Sequence, residues 1–365
     1  MRQANRTFTA IDLFCGAGGL TLGLKRAGFD VVVGVEIDPK IAKTYAANHP
    51  TTKLLMRDVR EVTGKELLDL AGLKEVDLVA GCPPCQGFSK LTDKYHRKDE
   101  RNDLVLEMAR LIEEISPKMV MMENVQGLAV RGKPILEKFK RKLRKLGYVT
   151  NDAVLQLADY GIPQSRKRLV LLAGKGFEIP LPKPTYSIKG DKKMRLKPWL
   201  TLGDVIRNMP KPMTISQAKQ RGGPKKYKWH VVSDLKEISI RRLKSLNPGD
   251  SRRALPKELR PRCHSNSEKG FINVYGRLGW NQTPPTITSG LTRLSMGRYG
   301  HPDELRTISV REAAMIQTFP KGYEFDTDSI ETACELVGNA LPYRFAYQVA
   351  KVCKTTLILN KPYVR

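Results

Sequence analysis

The alternation of short apolar segments with helical patterns in the first half of the chain constrains the fold more than any other feature. Runs rich in Val, Ile, Leu and Met have the length of buried strands at residues 8–14, 31–37, 53–56, 76–80 and 118–125. Helical spacing is clearest at residues 20–28, 104–116 and 134–147, and further strands follow at 153–158 and 168–174. Because strands alternate with helices, the sequence predicts a doubly wound, mostly parallel α/β sheet.

A change in composition predicts a second, smaller domain. From Pro180 to about Pro302 the chain is rich in Pro, Gly and basic residues, and its periodicity is weak. Helical patterns return at residues 307–320 and 341–359. We therefore expect a large domain made of residues 1–185 plus 326–365, and a smaller, irregular domain made of residues 186–325.

The net charge of +27, from 64 Lys and Arg against 37 Asp and Glu, indicates a polyanionic partner, most often nucleic acid. Residues 186–260 alone hold 20 Lys and Arg against 6 Asp and Glu. The alternative is a soluble protein that happens to be basic without a polyanionic partner, or a protein from a hot or salty habitat. Six cysteines are too few for a disulfide framework, and no apolar run is long enough for a membrane helix, so we expect an intracellular, cytoplasmic location.

A glycine-rich turn follows the first predicted strand, in DLFCGAGG (12–19). Such a turn lets the backbone approach a ligand closely at a helix N-terminus. The spacing is neither G-x-G-x-x-G nor a P-loop, so a ligand smaller than a dinucleotide is expected. Glu36 and Asp58 end the next two strands, where they could accept hydrogen bonds from ribose hydroxyls and an exocyclic amine. The sequence thus predicts an adenosine site, although a purely structural turn and two helix-capping acids are the alternative.

The fourth predicted strand leads into GCPPCQGFSK (81–90), which has a C-x-x-C spacing. A zinc site needs about four ligands, and the remaining cysteines have no second such spacing; Cys263 and His264 could complete a set only on paper. A redox pair is a second alternative. A single thiol held in a Pro-Pro turn beside the ligand site suits a nucleophile, so we expect Cys85 to react and Cys82 to pack.

The fifth strand ends at Glu123, after four apolar residues, and we expect burial to raise the pKa of this carboxyl and prepare it for proton donation. The alternative is a buried acid bonded to loop amides. In PQSRKRLVLLA (163–173), Arg166 and Arg168 alternate along the chain and would face one pocket. Considered without the other motifs, this run of charged residues would indicate only a solvent-exposed edge of the fold.

Together these motifs resemble those of the DNA (cytosine-5)-methyltransferases. The resemblance covers residues 8 to about 175 and about 271 to 355. In the family's order the motifs are DLFCGAGG, EIDP, RDV, GCPPCQGFS, MENVQGL, QSRKR, RTISVREAAMIQTFP and VGNALP, with NVYGRLGWNQTPPTIT as a lead-in to the last two. The Pro-Cys-Gln and Glu-Asn-Val elements are together very specific. Residues 186–262 do not align, and in this family that region carries sequence recognition.

The resemblance implies a Rossmann-like catalytic domain, an inserted target-recognition domain, S-adenosylmethionine as the methyl donor, and no metal. The cofactor would be bound by Phe14, Gly16, Gly18, Gly19, Glu36, Asp58, Leu104 and Asn339. In catalysis Cys85 would attack C6 of cytosine, Glu123 would bind N3, and Arg166 and Arg168 would lie near the base carbonyl. Further substrate contacts would come from Gln86, Ser89, Asn124 and Gln164.

The implied substrate is a cytosine flipped out of double-stranded DNA. We expect a monomer that binds DNA at the nucleoid, has no membrane partner, and has a restriction endonuclease as a separate companion. Two alternatives stay open. A related enzyme could methylate transfer RNA, although the long basic insertion favours duplex DNA. A DNA-binding regulator with a dead active site would have no use for Cys85, Glu123 and the glycine turn.

Overall fold

Two compact units make up the structure. The computed structural model describes residues 7–84, 103–262 and 272–360. Unit 1 comprises Met1–Leu157, Lys167–Pro184 and Tyr343–Arg365, and unit 2 comprises Ala158–Arg166 and Thr185–Pro342. Residues 158–166, 185 and 326–342 therefore lie in unit 2 and not in the predicted large domain.

Unit 1 is built on a seven-stranded sheet with the strand order β3-β2-β1-β4-β5-β7-β6. Its strands are β1 (Phe8–Leu13), β2 (Phe29–Val35), β3 (Lys53–Leu55), β4 (Leu78–Gly81), β5 (Met119–Val125), β6 (Tyr148–Gln156) and β7 (Lys167–Lys175). The pairs from β3 to β5 are parallel, whereas β7 is antiparallel to both β5 and β6. The predicted doubly wound, mostly parallel α/β fold is confirmed.

Amphipathic helices cover the sheet because each buries an apolar stripe against it. They are α1 (Gly19–Ala27), α2 (Pro39–Asn48), α3 (Gly64–Ala71), α4 (Leu104–Ile115), α5 (Gln126–Val130) and α6 (Lys133–Lys145). The core that they close contains Ile11, Val79 and Val120 from the strands and Leu111 and Phe139 from the helices, all fully buried. Among the described residues, no helix combines the length and the apolar character needed to cross a membrane.

Unit 2 has short elements joined by long irregular segments. They are β8 (Tyr186–Ser187), β9 (Lys197–Pro198), α7 (Gly203–Ile206), β10 (Met213–Thr214), α8 (Ile215–Arg221), β11 (Val231–Val232), α9 (Glu237–Lys244), α10 (Val310–Ile316) and α11 (Ile330–Asn339). Buried arginines connect these segments. Arg277 donates to the carbonyls of His301, Leu243, Leu246 and Glu304, at 2.9 to 3.2 Å. Each such bond satisfies a carbonyl that no strand partner reaches.

The last helix, α12 (Tyr343–Leu359), returns to unit 1 and packs against α1. Gly23 makes this close approach possible. A Cβ at this position would lie 2.4 Å from Cβ of Ala346 and 2.8 Å from the carbonyl oxygen of Tyr343.

We therefore predict that Gly23→Ala lowers the free energy of unfolding by about 1–3 kcal/mol, because overpacking forces the two helices apart. The higher helix propensity of Ala offsets only about 1 kcal/mol. Urea unfolding checks this. Gly322→Ala is the matched control, because an added Cβ there meets nothing within 4 Å. Equal stability of the two variants would contradict tight packing at Gly23.

Candidate active site

The carboxyl ends of β1 to β5 lie at one edge of the sheet, because these strands are parallel. In α/β sheets this edge is where ligands bind. The glycine turn follows β1, Glu36 follows β2, Asp58 follows β3, the Pro83–Pro84 turn follows β4, and Glu123 lies near the end of β5. The fold therefore places these side chains along the same edge.

The glycine turn is held in a conformation that favours glycine. Gly16 has φ 53°, Gly18 has φ 83°, and the half-buried Phe14 also has a positive φ of 62°. The Cys15 amide donates to Val35 O at 2.9 Å, and α1 begins at Gly19. A Cβ added at Gly16 would contact only the Phe14 carbonyl, at 4.0 Å, so the space above this residue is open.

Glu36 connects β2 to the glycine turn. Its carboxylate accepts from the Gly16 amide at 3.0 Å and from the Asp38 amide at 2.9 Å. Burial raises the pKa of this carboxyl, and the amide bonds oppose the rise. A carboxylate has about four acceptor sites, so Glu36 can orient the turn and still accept from a ligand hydroxyl.

Asp58 caps the short 3₁₀ turn Val59–Glu61 and pairs with Arg60. Its carboxylate accepts from the Arg60 amide at 2.9 Å and from the Arg60 guanidinium at 2.5 to 3.1 Å. The Arg60 guanidinium lowers the pKa of Asp58. The helix-capping role considered from sequence is therefore present, and a ligand amine would share the carboxylate with Arg60.

Two apolar side chains at this edge were missed by the sequence analysis. Ile37 and Met56 are each 59% exposed; Ile37 lies two residues after β2, and Met56 directly follows β3. Exposed apolar side chains next to acids that end parallel strands offer flat contact to an apolar ring. The sequence signal was present, because Ile37 and Met56 are the last apolar residues of the two predicted strands, 31–37 and 53–56.

A buried polar group lies beneath the glycine turn. Asp12 has no solvent exposure, and its Oδ2 accepts from the Thr21 hydroxyl at 2.6 Å. Thr21 in turn bonds Tyr45 Oη at 2.9 Å. Oδ1 of Asp12 has no hydrogen-bond partner among the described residues. Burial raises the pKa of Asp12 to about 7.

The Pro83–Pro84 turn is fixed from both sides. The Cys82 amide donates to Leu13 O at 3.4 Å, and Asn124 Nδ2 donates to Pro83 O at 3.0 Å. The Asn124 side chain is itself bonded to the Val125 amide at 2.7 Å. Asn124, predicted to contact the substrate, therefore positions the segment that precedes Cys85. Cys85, Gln86 and Ser89 lie outside the described residues.

Glu123 forms an ion pair with Arg168, at 2.9 Å between Oε1 and Nε. Both side chains are largely buried, and burial lowers the pKa of the Arg168 guanidinium. The Cys82 thiol is hydrogen-bonded to Glu123, and burial raises the pKa of this thiol well above its ordinary value. Glu123 is therefore oriented from two sides at the end of β5.

Arg166 and Gln164 make their described contacts within unit 2. Arg166 Nη1 donates to Ile287 O at 2.9 Å, and Gln164 Oε1 accepts from the Ile287 amide at 2.9 Å. Gln164 is fully buried and donates to Gln317 at 2.7 Å. These contacts give Gln164 a structural role, and its DNA contact stays a prediction. Gln317 was missed, since nothing local in the sequence announces a partner 153 residues away.

Leu104 and Asn339, the last two predicted cofactor residues, both lie at helix ends. Leu104 is half-buried at the start of α4 and packs against the core of unit 1. Asn339 is exposed at the end of α11 in unit 2, with Glu335 Oε1 at 3.5 Å from its Nδ2. Three residues of the zinc alternative, Cys85, Cys263 and His264, lie outside the described residues. Among the residues that the structure describes, no three metal-ligating side chains cluster.

Comparison with known proteins decides the family. The model of the C-5 cytosine-specific DNA methylases matches residues 8–355. The chain belongs to the C-5 cytosine-specific DNA methylase family. It is a DNA (cytosine-5)-methyltransferase, as the motifs predicted.

Relatives and solved structures agree with the family assignment. The methylase is 36% identical over 353 residues to the Type II methylase M.HgiDII of Herpetosiphon aurantiacus, covering 95% of both chains. It is 32% identical to the Type II methyltransferase M1.HphI of Haemophilus parahaemolyticus, covering 94% of this chain and 86% of the relative. A DNA modification methyltransferase encoded within an E. coli prophage shares the fold, with a TM-score of 0.73, 23% identity and coverage of 97% and 100%.

We predict that Asp12 makes the stability of the methylase fall as pH rises from about 4 to about 7. Its folded pKa of about 7 exceeds the ordinary 3.8, so in this range the folded state keeps a proton that the unfolded state has lost. At about 1.4 kcal/mol per pKa unit, the loss reaches about 4 kcal/mol.

Urea unfolding at several pH values checks this prediction. Asp12→Asn removes the titrating carboxyl, so the free energy of unfolding of the variant, relative to that of wild type, should increase with pH. Asp30→Asn, at the exposed start of β2, controls for the loss of one negative charge. Parallel pH profiles of wild type and Asp12→Asn would contradict the prediction.

Proposed function

We propose that the methylase transfers a methyl group from S-adenosylmethionine to C5 of a cytosine flipped out of duplex DNA, through a covalent bond between Cys85 and C6. The observation that carries this proposal is the placement of Glu123. The Arg168 pair and the Cys82 thiol orient its carboxyl, beside the turn that leads into Cys85.

The residues at the head of the sheet fit the cofactor. The open space at Gly16 admits a close approach, Glu36 offers acceptor sites to ribose hydroxyls, and the exposed Ile37 and Met56 offer apolar contact to a base. Asp58 would accept from the exocyclic amine, beside Arg60. When bound, S-adenosylmethionine supplies an electrophilic methyl group.

The chain's own residues prepare the cytosine. Addition of the Cys85 thiolate to C6 forms a carbon–sulfur bond and makes C5 nucleophilic, while Glu123 shares a proton with N3 and so favours the addition. Once C5 is methylated, loss of its proton to a base restores the C5–C6 double bond and expels the thiolate. Arg168 holds Glu123 and lies near the base carbonyl; Arg166 is proposed to lie there as well.

Basic side chains of residues 186–260 are proposed to bind phosphates, while a few other side chains read bases in the major groove. The methylase is proposed to act as a monomer on a short specific sequence, with a separate cognate endonuclease. DNA rather than transfer RNA is the substrate that the family match favours.

We predict that Glu36→Ala and Asp58→Ala each weaken S-adenosylmethionine binding by about 1–3 kcal/mol, because each removes hydrogen bonds to a charged acceptor. Calorimetry measures the affinity, and DNA affinity should change little. Glu61→Ala, an exposed acid close to Asp58, is the matched control. Unchanged cofactor affinity in both variants would remove the proposed pocket.

We predict that DNA with 5-fluorocytosine at the target traps the methylase as a denaturant-stable adduct when S-adenosylmethionine is present. Fluorine leaves no C5 proton to remove, so the Cys85 bond to C6 persists. Cys85→Ser should form no adduct, because a hydroxyl is a far weaker nucleophile than a thiolate. Denaturing electrophoresis measures the adduct.

Cys82→Ser should still form the adduct and is the matched control for the choice of thiol. Glu123→Gln should form it slowly, because N3 loses its proton partner. An adduct that survives Cys85→Ser but not Cys82→Ser would show that the other cysteine is the nucleophile. Zinc bound at one per chain, with neither substitution affecting the adduct, would instead make the C-x-x-C a metal site.

A further inference from the structure

A turn in unit 2, residues 188–197, combines exposed apolar and cationic side chains. We call it the basic turn. Ile188 is 69% exposed and Met194 is 70% exposed. The same ten residues contain five exposed cations: Lys189, Lys192, Lys193, Arg195 and Lys197. None of the five forms an ion pair with another described residue.

The basic turn is ordered by its own hydrogen bonds. The amides of Asp191 and Leu196 donate to each other's carbonyls at 2.8 Å, and Asp191 Oδ1 accepts from the Met194 amide at 3.0 Å. The one acid in the turn is therefore used within it. Because Asp191 is itself exposed, the turn carries five positive charges against one negative charge.

The base of the turn is anchored to the rest of unit 2. The Lys197 amide donates to Thr185 O at 3.0 Å, the Trp199 amide donates to Ser187 O at 2.9 Å, and the Trp199 indole donates to Asp159 at 2.8 Å. The side chains at the tip are thus presented by a folded support, which reduces the entropy lost when they bind a partner.

We propose that the basic turn is a DNA-contacting arm that enters a groove of the duplex, with Met194 and Ile188 against bases and sugars and the lysines on flanking phosphates. Proteins that enter DNA grooves combine exposed apolar side chains with surrounding cations in this way. The charge complementarity selects DNA over a second copy of this chain, which is itself basic. The proposal rests on the proposed function but adds a contact to it.

The charged part of the proposal is tested with Lys192→Gln/Lys193→Gln. The probe is a duplex that contains the methylated site, which sequencing of 5-methylcytosine identifies. The plot of log affinity against log salt should become shallower by roughly 2, and affinity at physiological salt should fall roughly tenfold or more, because two phosphate contacts are lost. Lys138→Gln/Arg141→Gln, on the exposed face of α6, removes the same charge and should cause less than a threefold loss.

The apolar part is tested with Met194→Ala. Affinity should fall roughly fivefold at every salt concentration with an unchanged slope, because apolar contact is lost but no charge is. Val149→Ala, an exposed apolar residue on β6, is the control and should bind like wild type. Unchanged cofactor affinity shows that each variant is folded.

Equal losses in the turn and α6 variants would overturn the proposal, because they would show an effect of net charge alone. Unchanged DNA affinity of Met194→Ala together with altered sedimentation would also overturn it, in favour of contact between copies. If wild type fails to methylate DNA, the proposed function fails; if wild type methylates and the turn variants bind normally, only the turn proposal fails.

Discussion

The parallel pairing of β1 with β2 and β4 is the constraint on which the site depends. Parallel strands end at the same edge, so residues far apart in sequence become neighbours without any contact between their side chains. The Gly16–Glu36 bond then links two of these ends directly, at 3.0 Å. Since the turn and the acid orient each other, the proposed pocket would be organised before any ligand binds, and binding would not have to supply that ordering.

Much of the sheet could be predicted, because its strands are short apolar runs between helical patterns. The antiparallel direction of β7 could not be predicted, since the sequence pattern of a buried strand is the same whether its neighbour is parallel or antiparallel. Helices α2 and α3 were not among the clearest helical patterns; their Asp38 and Thr63 caps were the available signal. In unit 2, the helical pattern at residues 307–320 corresponds to α10, but buried arginines bonded to backbone carbonyls connect long irregular segments in which no periodicity is visible.

The candidate site also combines residues that could be predicted from the sequence with contacts that could not. Glu36 and Glu123 could be located because each ends a strand. The partners of Glu123 could be only partly foreseen: Arg168 lies on β7, and its pairing with Glu123 depends on the unpredicted strand direction. Alternation along the chain suggested one pocket for Arg166 and Arg168, and that shared pocket stays a prediction. Arg166 bonds a carbonyl 121 residues away, a contact that local sequence cannot reveal.

The positive charges of the chain have two roles, internal hydrogen bonding by buried arginines and exposure on the surface, and a count of residues does not distinguish them. Arg277, Arg306 and Arg311 are buried, and their guanidinium groups donate to protein carbonyls or to Glu312. A buried guanidinium is retained only where such partners replace water, so these cations stabilise unit 2 and are not available to phosphates. Among the described residues, the cations of the basic turn have no such partners, and all five are exposed. DNA affinity should therefore depend on where the positive charges lie rather than on the net charge of +27.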